Sequence, residues 1–337
     1  MNQELTASGG RRLTYLRLSV TDRCNLRCRY CMPPEGVPKL DHGDVLTYEE
    51  ILRLARVGAS LGLKKLRLTG GEPLVRRGLA GFIRALNEEG LFQDLRLTTN
   101  GILLPEMAAS LKAAGVVGLN ISLDAVDPAI YAEMVGLPGP AGEKMAGRAW
   151  AGFRAALSLG FETKINCVPI RGVNDRQLTA LARLALEYPV DVRFIEHMPV
   201  GRGRLWEESC FLSAGEILTR LERELGRLEP RPAADPSAPA RLYAPANAPG
   251  AIGFISAVSA HFCSGCNRLR LTADGKLKPC LLTDREINLR EPLRTGASDQ
   301  ELRELFRAAA GHKPVSHLEA KPGDSAPAER GMSRIGG

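Results

Sequence analysis

Between residues 13 and 198 the chain alternates six short apolar runs with five amphipathic stretches, a repeat of about 30 residues that matches a strand–helix unit. The runs are Leu13–Val20, Lys64–Thr69, Asp94–Thr99, Val117–Leu123, Glu162–Ile170 and Val190–Met198. The stretches between them, Tyr48–Leu61, Arg77–Gly90, Leu104–Ala114, Trp150–Leu159 and Arg176–Tyr188, read as helices. Thr47-Tyr-Glu-Glu50 and Ser213-Ala-Gly-Glu216 carry the capping-box pattern, in which hydroxyl and carboxylate satisfy each other's backbone donors. Strands joined through helices run parallel with right-handed crossovers. Six units fall short of the eight that close a barrel. The expected fold is therefore α/β: a partial, six-unit TIM-like β/α barrel, open along one side.

From about Leu228 the texture changes. Arg231–Gly250 is rich in proline and alanine and reads as a linker or surface loop. Ile252–Ala260 follows, then two strands, Arg268–Thr272 and Lys276–Leu282, around the turn signal Asp274-Gly275. A hairpin centred between 274 and 275 sets Cys280 opposite Leu269, near Cys263 and Cys266. The expected division is 1–228 for the partial barrel and 229–337 for a β-hairpin-containing region with a loop-like tail, Lys313 to Gly337. A chain of 337 residues with 44% hydrophobic content can bury one large core and a smaller appendage.

The polar start, MNQELTASGG, and the lack of an apolar run of spanning length imply neither a secretory signal nor a membrane helix, and so a cytoplasmic protein. Eight cysteines in such a chain point to metal ligation in a reducing compartment, not to disulfides. Cys24-x₃-Cys28-x₂-Cys31 supplies three thiolates, which would leave one iron of a four-iron cluster free to chelate a small molecule. A structural zinc site wants four ligands, so the spacing favours iron–sulfur over zinc or buried thiols. Cys263-x₂-Cys266-x₁₃-Cys280 is a second three-thiolate set. Taken alone it suits zinc, with His261 as fourth ligand, as well as iron–sulfur; the first triad tips it toward iron–sulfur. Cys167 reads as a buried core thiol, and Cys210 is given no role.

Loops after parallel strands are where sites form in this architecture. Thr69-Gly-Gly-Glu-Pro73, Thr98-Thr-Asn-Gly101 and Ser122-Leu-Asp124 follow successive strands and describe a rim of hydrogen-bonding groups, although the paired glycines also suit an ordinary tight turn. Leu-Arg-Leu-Ser/Thr recurs at 16–19, 66–69, 95–98 and 269–272. Alternation puts each arginine on the face opposite its leucines, into the cavity of a helix-covered barrel. Breaking the pairing of a buried charge costs roughly 3–5 kcal/mol, so Arg17, Arg67, Lys65, Lys164 and Arg193 imply a polyanion such as a triphosphate, or many carboxylates. The net charge of +7 agrees with an anionic partner. Outer-face arginines covering helices with their stems are the alternative; Arg96 is placed there, without a role.

These motifs together resemble the radical SAM superfamily and, within it, the GTP 3′,8-cyclases of molybdenum cofactor biosynthesis. The likeness runs from Leu13 to Gly337 through Val20-Thr-Asp-Arg-Cys-Asn-Leu-Arg-Cys-Arg-Tyr-Cys-Met-Pro33, Leu68-Thr-Gly-Gly-Glu-Pro-Leu74, Leu97-Thr-Thr-Asn-Gly101, Ile121-Ser-Leu-Asp-Ala125 and Phe194-Ile-Glu-His-Met-Pro-Val-Gly201. Cys263-Ser-Gly-Cys-Asn-Arg-Leu-Arg270 and the terminal Gly-Gly narrow it. The resemblance implies two [4Fe–4S] clusters and S-adenosylmethionine as cofactors, with GTP as substrate. Cys24, Cys28 and Cys31 would hold the cluster that binds S-adenosylmethionine, and Tyr30, Gly71, Ser122 and Met198 would line the rest of its site. Cys263, Cys266 and Cys280 would hold an auxiliary cluster whose open iron faces guanine. Arg17, Arg67, Thr98, Lys164, Arg268, Leu269 and Arg270 would contact GTP, with Lys65 and Arg193 near its phosphates and Gly336 and Gly337 reaching back into the site.

The implied reaction needs an external one-electron donor. By that resemblance a 5′-deoxyadenosyl radical would take hydrogen from ribose C3′, the new radical would attack guanine C8, and one-electron reduction and protonation of the cyclised radical would give 3′,8-cyclo-7,8-dihydro-GTP for a downstream cyclic pyranopterin monophosphate synthase. The resemblance implies a homodimer, and neither a nucleic-acid nor a membrane partner. Val135–Gly142 looks longer and looser than the family pattern and the Pro/Ala stretch before Gly250 is unusual; both are expected off the ligand rim. The rivals are a peptide-modifying radical SAM maturase, which would want more C-terminal cysteines, and a zinc-stabilised nucleic-acid-binding protein. Aromatic content of 5% and basic residues on inward strand faces speak against the latter.

Overall fold

Leucine at every second position lets each early strand bury one face under helices and turn the other inward. The computed structural model describes residues 4–200, 207–233, 235, 237–245, 247–316 and 330–336. Its first part runs β1 (Tyr15–Ser19), α1 (Tyr48–Ser60), β2 (Lys65–Thr69), α2 (Leu79–Glu88), β3 (Asp94–Thr99), α3 (Leu104–Ala113) and β4 (Gly118–Ser122). Then come α4 (Pro128–Met134), α5 (Pro140–Ser158), β5 (Glu162–Cys167), α6 (Leu178–Glu187), β6 (Asp191–Ile195) and α7 (Ala214–Leu225). The remainder holds β7 (Glu229–Arg231), β8 (Arg241–Ala244), β9 (Ala251–Ile255), β10 (Arg268–Leu271), β11 (Lys276–Lys278), β12 (Ile287–Asn288), α8 (Arg290–Arg294), α9 (Asp299–Gly311) and α10 (Met332–Ile335).

Among the described residues the strands form one sheet in the order β12-β11-β10-β1-β2-β3-β4-β5-β6-β9-β8-β7. Neighbours from β10 across to β9 are parallel, and the pairs outside them are antiparallel. The ends of the sheet are different strands that do not pair, so the barrel is partial, as expected. The six predicted strands form its middle; β9 and β10 extend it on either side. The sheet therefore continues across residue 228.

Register aligns the inward side chains. Arg17 lies beside Arg270 on one side and Arg67 on the other, and Arg67 lies beside Arg96. Four arginines from four strands thus stand in one row. The intervening leucines, such as Leu16, Leu18, Leu66 and Leu68, are buried beneath the helices, each contributing about 1.5–3 kcal/mol by burial.

Several boundaries and turns differ from the sequence expectations. α5 starts ten residues before the expected Trp150, with Pro140 in its first turn. Two of its glycines are contact points, Gly142 in the segment that read as loose and Gly152 in the expected helix: a Cβ at Gly142 would lie 1.9 Å from the Leu137 carbonyl oxygen, and one at Gly152 2.1 Å from that of Gly101. Thr47 and Glu50 form the full capping box. Ser213 caps Glu216 N–H, but the Glu216 carboxylate pairs with Arg171 and Arg220 instead of reaching back. The hairpin register pairs Arg270 with Lys278, one residue off expectation. A three-residue loop with Gly275 at φ +76°, not a two-residue turn, causes the slip. The pairing, continued, sets Cys280 opposite Arg268.

Candidate active site

A cavity of about 710 Å³ fills the barrel, and all six triad cysteines line it. Chain direction decides which end each triad occupies. The first follows β1, while Cys263 and Cys266 precede β10, which runs parallel to β1. Cys280 follows β11, which is antiparallel to β10 and so returns to the same end. The two triads therefore lie at opposite ends of the strands, with the arginine row between them.

Two neighbours brace the first triad's loop. Arg27 and Arg29 donate backbone N–H groups to the carbonyls of Val135 (3.0 Å) and Met134 (3.0 Å). A Cβ at Gly136 would lie 2.3 Å from the Arg27 carbonyl oxygen. The start of the Val135–Gly142 segment therefore supports the triad loop directly, against the expectation that the segment lies off the rim. From the other side, Gly71 N–H donates to Thr21 O (2.8 Å) and Glu72 N–H to Arg23 O (2.8 Å). A Cβ at Gly71 would sit 2.4 Å from Arg23 O, so the paired glycines allow two loops to touch. Glu72 is buried, accepting from Thr99 Oγ1 (2.7 Å), Asn100 N (2.7 Å) and Leu74 N (3.0 Å). Burial lifts it to about 7. The Tyr30 hydroxyl donates to Asp124 (3.0 Å), whose carboxyl burial raises to about 6.

Electrostatics distinguish the triads. Burial pushes Cys24 up to about 11 and Cys31 to about 12, so these sulfurs need a bound cation to ionise. Cys266 is half-buried, which raises it, yet Arg268 and Lys313 beside it bring it down to about 6. Among the described residues no three His, Cys, Asp or Glu side chains converge on a single-ion site.

The middle of the cavity carries excess positive charge. Asp94 pairs with Lys65 (3.2 Å) and Arg96 (2.6 Å), Glu162 with Arg96 (2.7 Å), and Asp191 with Arg193 (2.9 Å) and Lys164 (3.6 Å). Arg67 and Arg270 have no carboxylate partner among the described residues. Burial, reinforced by Arg268, lowers Arg270 to about 10. Buried Arg67 Nε, Thr98 Oγ1, Asn120 Oδ1, Asn166 Oδ1 and Arg193 Nε have no hydrogen-bond partner among the described residues. Such donors and acceptors on a cationic wall fit a polar, anionic ligand.

The structure places most of the sequence-derived residues on the cavity wall. Tyr30, Gly71, Ser122, Met198, Thr98, Lys164, Arg17, Arg67, Lys65, Arg193, Arg268 and Arg270 all line the cavity. Leu269 does not: it is fully buried in the hydrophobic core, on the opposite strand face. Arg96, assigned to the outer face, lines the cavity and bridges Asp94 and Glu162. The Pro/Ala segment is cavity wall, with Asp235 on Lys65 (2.9 Å) and Ser237 Oγ accepting from Asn267 (3.0 Å). Gly337 lies outside the described residues. Gly336 O accepts from Arg270 (3.0 Å), with φ at +75°, and a Cβ there would lie 2.3 Å from Thr69 Oγ1. Cys167 is a core thiol, as expected.

Asn120 and Asn166 were missed although they share strand parity with Thr98 and Lys164. Glu196 was missed as well. It is buried, accepting from Ala214, Val258 and Ser259 N–H (2.8 Å each), and so fixes the approach to the second triad.

The Radical SAM superfamily model matches residues 18–185, and Molybdenum Cofactor Synthesis C matches 190–319. The chain is similar to the GTP 3′,8-cyclase of Desulforamulus reducens, at 44% identity over 97% of this chain and 98% of that protein. It is also similar to the GTP 3′,8-cyclase of Geobacter sulfurreducens, at 48% identity over 93% of this chain and 94% of the relative. Among solved structures, Streptococcus suis SuiB shares the fold, with a TM-score of 0.59 and 15% identity over 88% of this chain and 68% of that one.

Proposed function

Because the chain belongs to the GTP 3′,8-cyclase family of radical SAM enzymes, we propose how its residues divide that family's work. The activity is conversion of GTP to 3′,8-cyclo-7,8-dihydro-GTP in molybdenum cofactor synthesis. Two [4Fe–4S] clusters and S-adenosylmethionine, when bound, supply the radical chemistry. One observation carries the assignment: two three-thiolate loops at opposite ends of one arginine-lined cavity.

Cys24, Cys28 and Cys31 hold the first cluster, and Tyr30, Gly71, Ser122 and Met198 shape the adjoining cofactor site. Cys263, Cys266 and Cys280 hold the second cluster at the base of the substrate. Arg17, Arg67, Thr98, Lys164, Arg268 and Arg270 bind the nucleotide, and Lys65 and Arg193 take its phosphates. The row of arginines gives the triphosphate a fixed orientation, so that its ribose faces the first triad and its base the second. The surrounding strands and the tail at Gly336 exclude water. Residues 1–228 contribute the cofactor half and 229–337 the auxiliary-cluster half. An external one-electron donor, a downstream synthase that consumes the product, a homodimer and a cytoplasmic setting complete the reading. Among the described residues no helix is long and apolar enough to cross a membrane.

Anaerobic reconstitution followed by iron analysis tests the assignment, with reductant, S-adenosylmethionine and either GTP or ATP added in parallel. The expected outcome is about eight irons per chain and a cyclised product that requires GTP. Bound zinc with almost no iron, or 5′-deoxyadenosine without a GTP-dependent product, contradicts it.

A further inference from the structure

The second triad lies on chain segments far apart in sequence, and one lysine connects them. Lys313 follows the C-terminal end of α9, where its N–H donates to Ala310 O (3.1 Å). Its ammonium donates to Arg268 O (2.9 Å), two residues after Cys266, and to Pro279 O (2.7 Å), next to Cys280. Its charge lies near enough to the Cys266 and Cys280 sulfurs for either thiolate to stabilise it. Next to it, Pro314 O and Cys263 O (2.6 Å) share the guanidinium of Arg11. Residues 313 and 314 are thereby tied to the segments bearing all three cysteines.

Lys313 is 3% exposed and has no carboxylate partner among the described residues. Carbonyl oxygens satisfy its donors but leave its charge uncompensated, and a buried ammonium is held only where negative charge lies near it. The negative charge this site can offer is the thiolates themselves and what they bind.

We propose that Lys313 is a positioning residue for the auxiliary cluster: its ammonium joins the two ligand-bearing segments and supplies a fixed positive charge beside the Cys266 sulfur. Hydrogen bonds and charges at cluster sulfurs set both retention and reduction potential. Lys313 therefore makes the second cluster harder to lose and easier to reduce, and leaves the first cluster untouched. The inference rests on the second triad being a cluster site.

The test uses two parent proteins, one with Cys24, Cys28 and Cys31 changed to Ala and one with Cys263, Cys266 and Cys280 changed to Ala, each reconstituted anaerobically. Lys313→Met and Lys313→Arg are made in both. Iron loss to a chelator is followed in each, and the potential of the second cluster is titrated by electron paramagnetic resonance. Lys313→Met should lose second-cluster iron about 10-fold faster and shift its potential to a more negative value. Its first cluster should lose iron at the parental rate, and Lys313→Arg should bring the potential back toward that of the parent. Unchanged second-cluster loss and potential overturn the proposal, as does equal acceleration in both parents, which would mark Lys313 as a packing residue. If the second-cluster parent loads no iron, the cluster reading itself falls; if it loads and Lys313→Met behaves identically, only the role of Lys313 falls.

Discussion

Replacing Asp235 with Asn should tighten GTP binding. Asp235 sits in the Pro/Ala-rich crossing between β7 and β8 and places its carboxylate 2.9 Å from Lys65 Nζ, with side chains 43% and 26% exposed respectively. Its other oxygen accepts from Ser237 N (2.9 Å) and Ser237 Oγ (2.6 Å), which fixes its orientation. Under the proposed assignment of Lys65 to the phosphates, they would compete with this carboxylate for it. A pair this exposed is worth only about 0.5–1 kcal/mol, so removing the competing charge should lower the Kd for GTP roughly 2- to 5-fold. Asn keeps the shape and an acceptor for Ser237, so the crossing stays in place.

Partial burial raises the Asp235 carboxyl, but Ser237 and Lys65 outweigh it and hold the group at about 2. A depressed carboxylate contributes above its unfolded pKa near 3.9 and loses that contribution as pH falls toward 2. The gain in affinity should thus be constant across neutral pH and shrink with added salt. Calorimetric titration of GTP into reconstituted enzyme, repeated in a Lys65→Met background, measures it. Weaker or unchanged binding in Asp235→Asn, or the same gain without Lys65, would refute the reasoning.

Two further outcomes follow from groups on the same wall. Burial, then Arg193, lowers Lys164 to about 8. The unfolded chain binds more protons from pH 8 to about 10.4, so stability rises with pH across that window. If Lys164 contacts GTP as proposed, the nucleotide's negative charge restores the proton, so GTP binding should take up protons near pH 8–9 and weaken above it. Titrations in buffers of different ionisation enthalpy detect this, and Lys164→Met should abolish it; absence of uptake in the wild type would sink the idea. Gly336→Ala combines a left-handed backbone with a Cβ 2.3 Å from Thr69 Oγ1. The strain of about 1–2 kcal/mol should depopulate the seated tail and cut turnover by roughly 5- to 30-fold with little change in Tm; wild-type turnover would show that the tail's seat does not matter.

The inner strands and both triads were legible because period-2 leucines and cysteine spacing are local signals. The inward arginines followed from the same parity, and Leu269 shows its limit. A motif carried over as a block, Arg268-Leu-Arg270, included a residue whose side chain points into the core. Arg96 was misplaced because the carboxylates that compensate it, Asp94 and Glu162, come from its own strand and from one two places away in the sheet. Composition misled at Arg231–Gly250: proline and alanine suggest a surface linker, but small, rigid residues also suit a wall lying flat across a cavity. Lys313 and Arg11 carried no signal, since their partners are backbone carbonyls supplied by tertiary structure.

The pairing of β1 with β10 joins Tyr15 to Arg268. During synthesis β1 waits for a partner made roughly 250 residues later, on the order of 10–50 s at ordinary ribosome speed. An open strand edge is a template for pairing with other chains, and charge on alternate positions is a standard protection against it. Arg17, with Ser19 on the same face, places a charge and a polar group where a second apolar residue would make β1 adhesive. The charge that later lines the cavity thus also guards a strand edge left open until β10 is made.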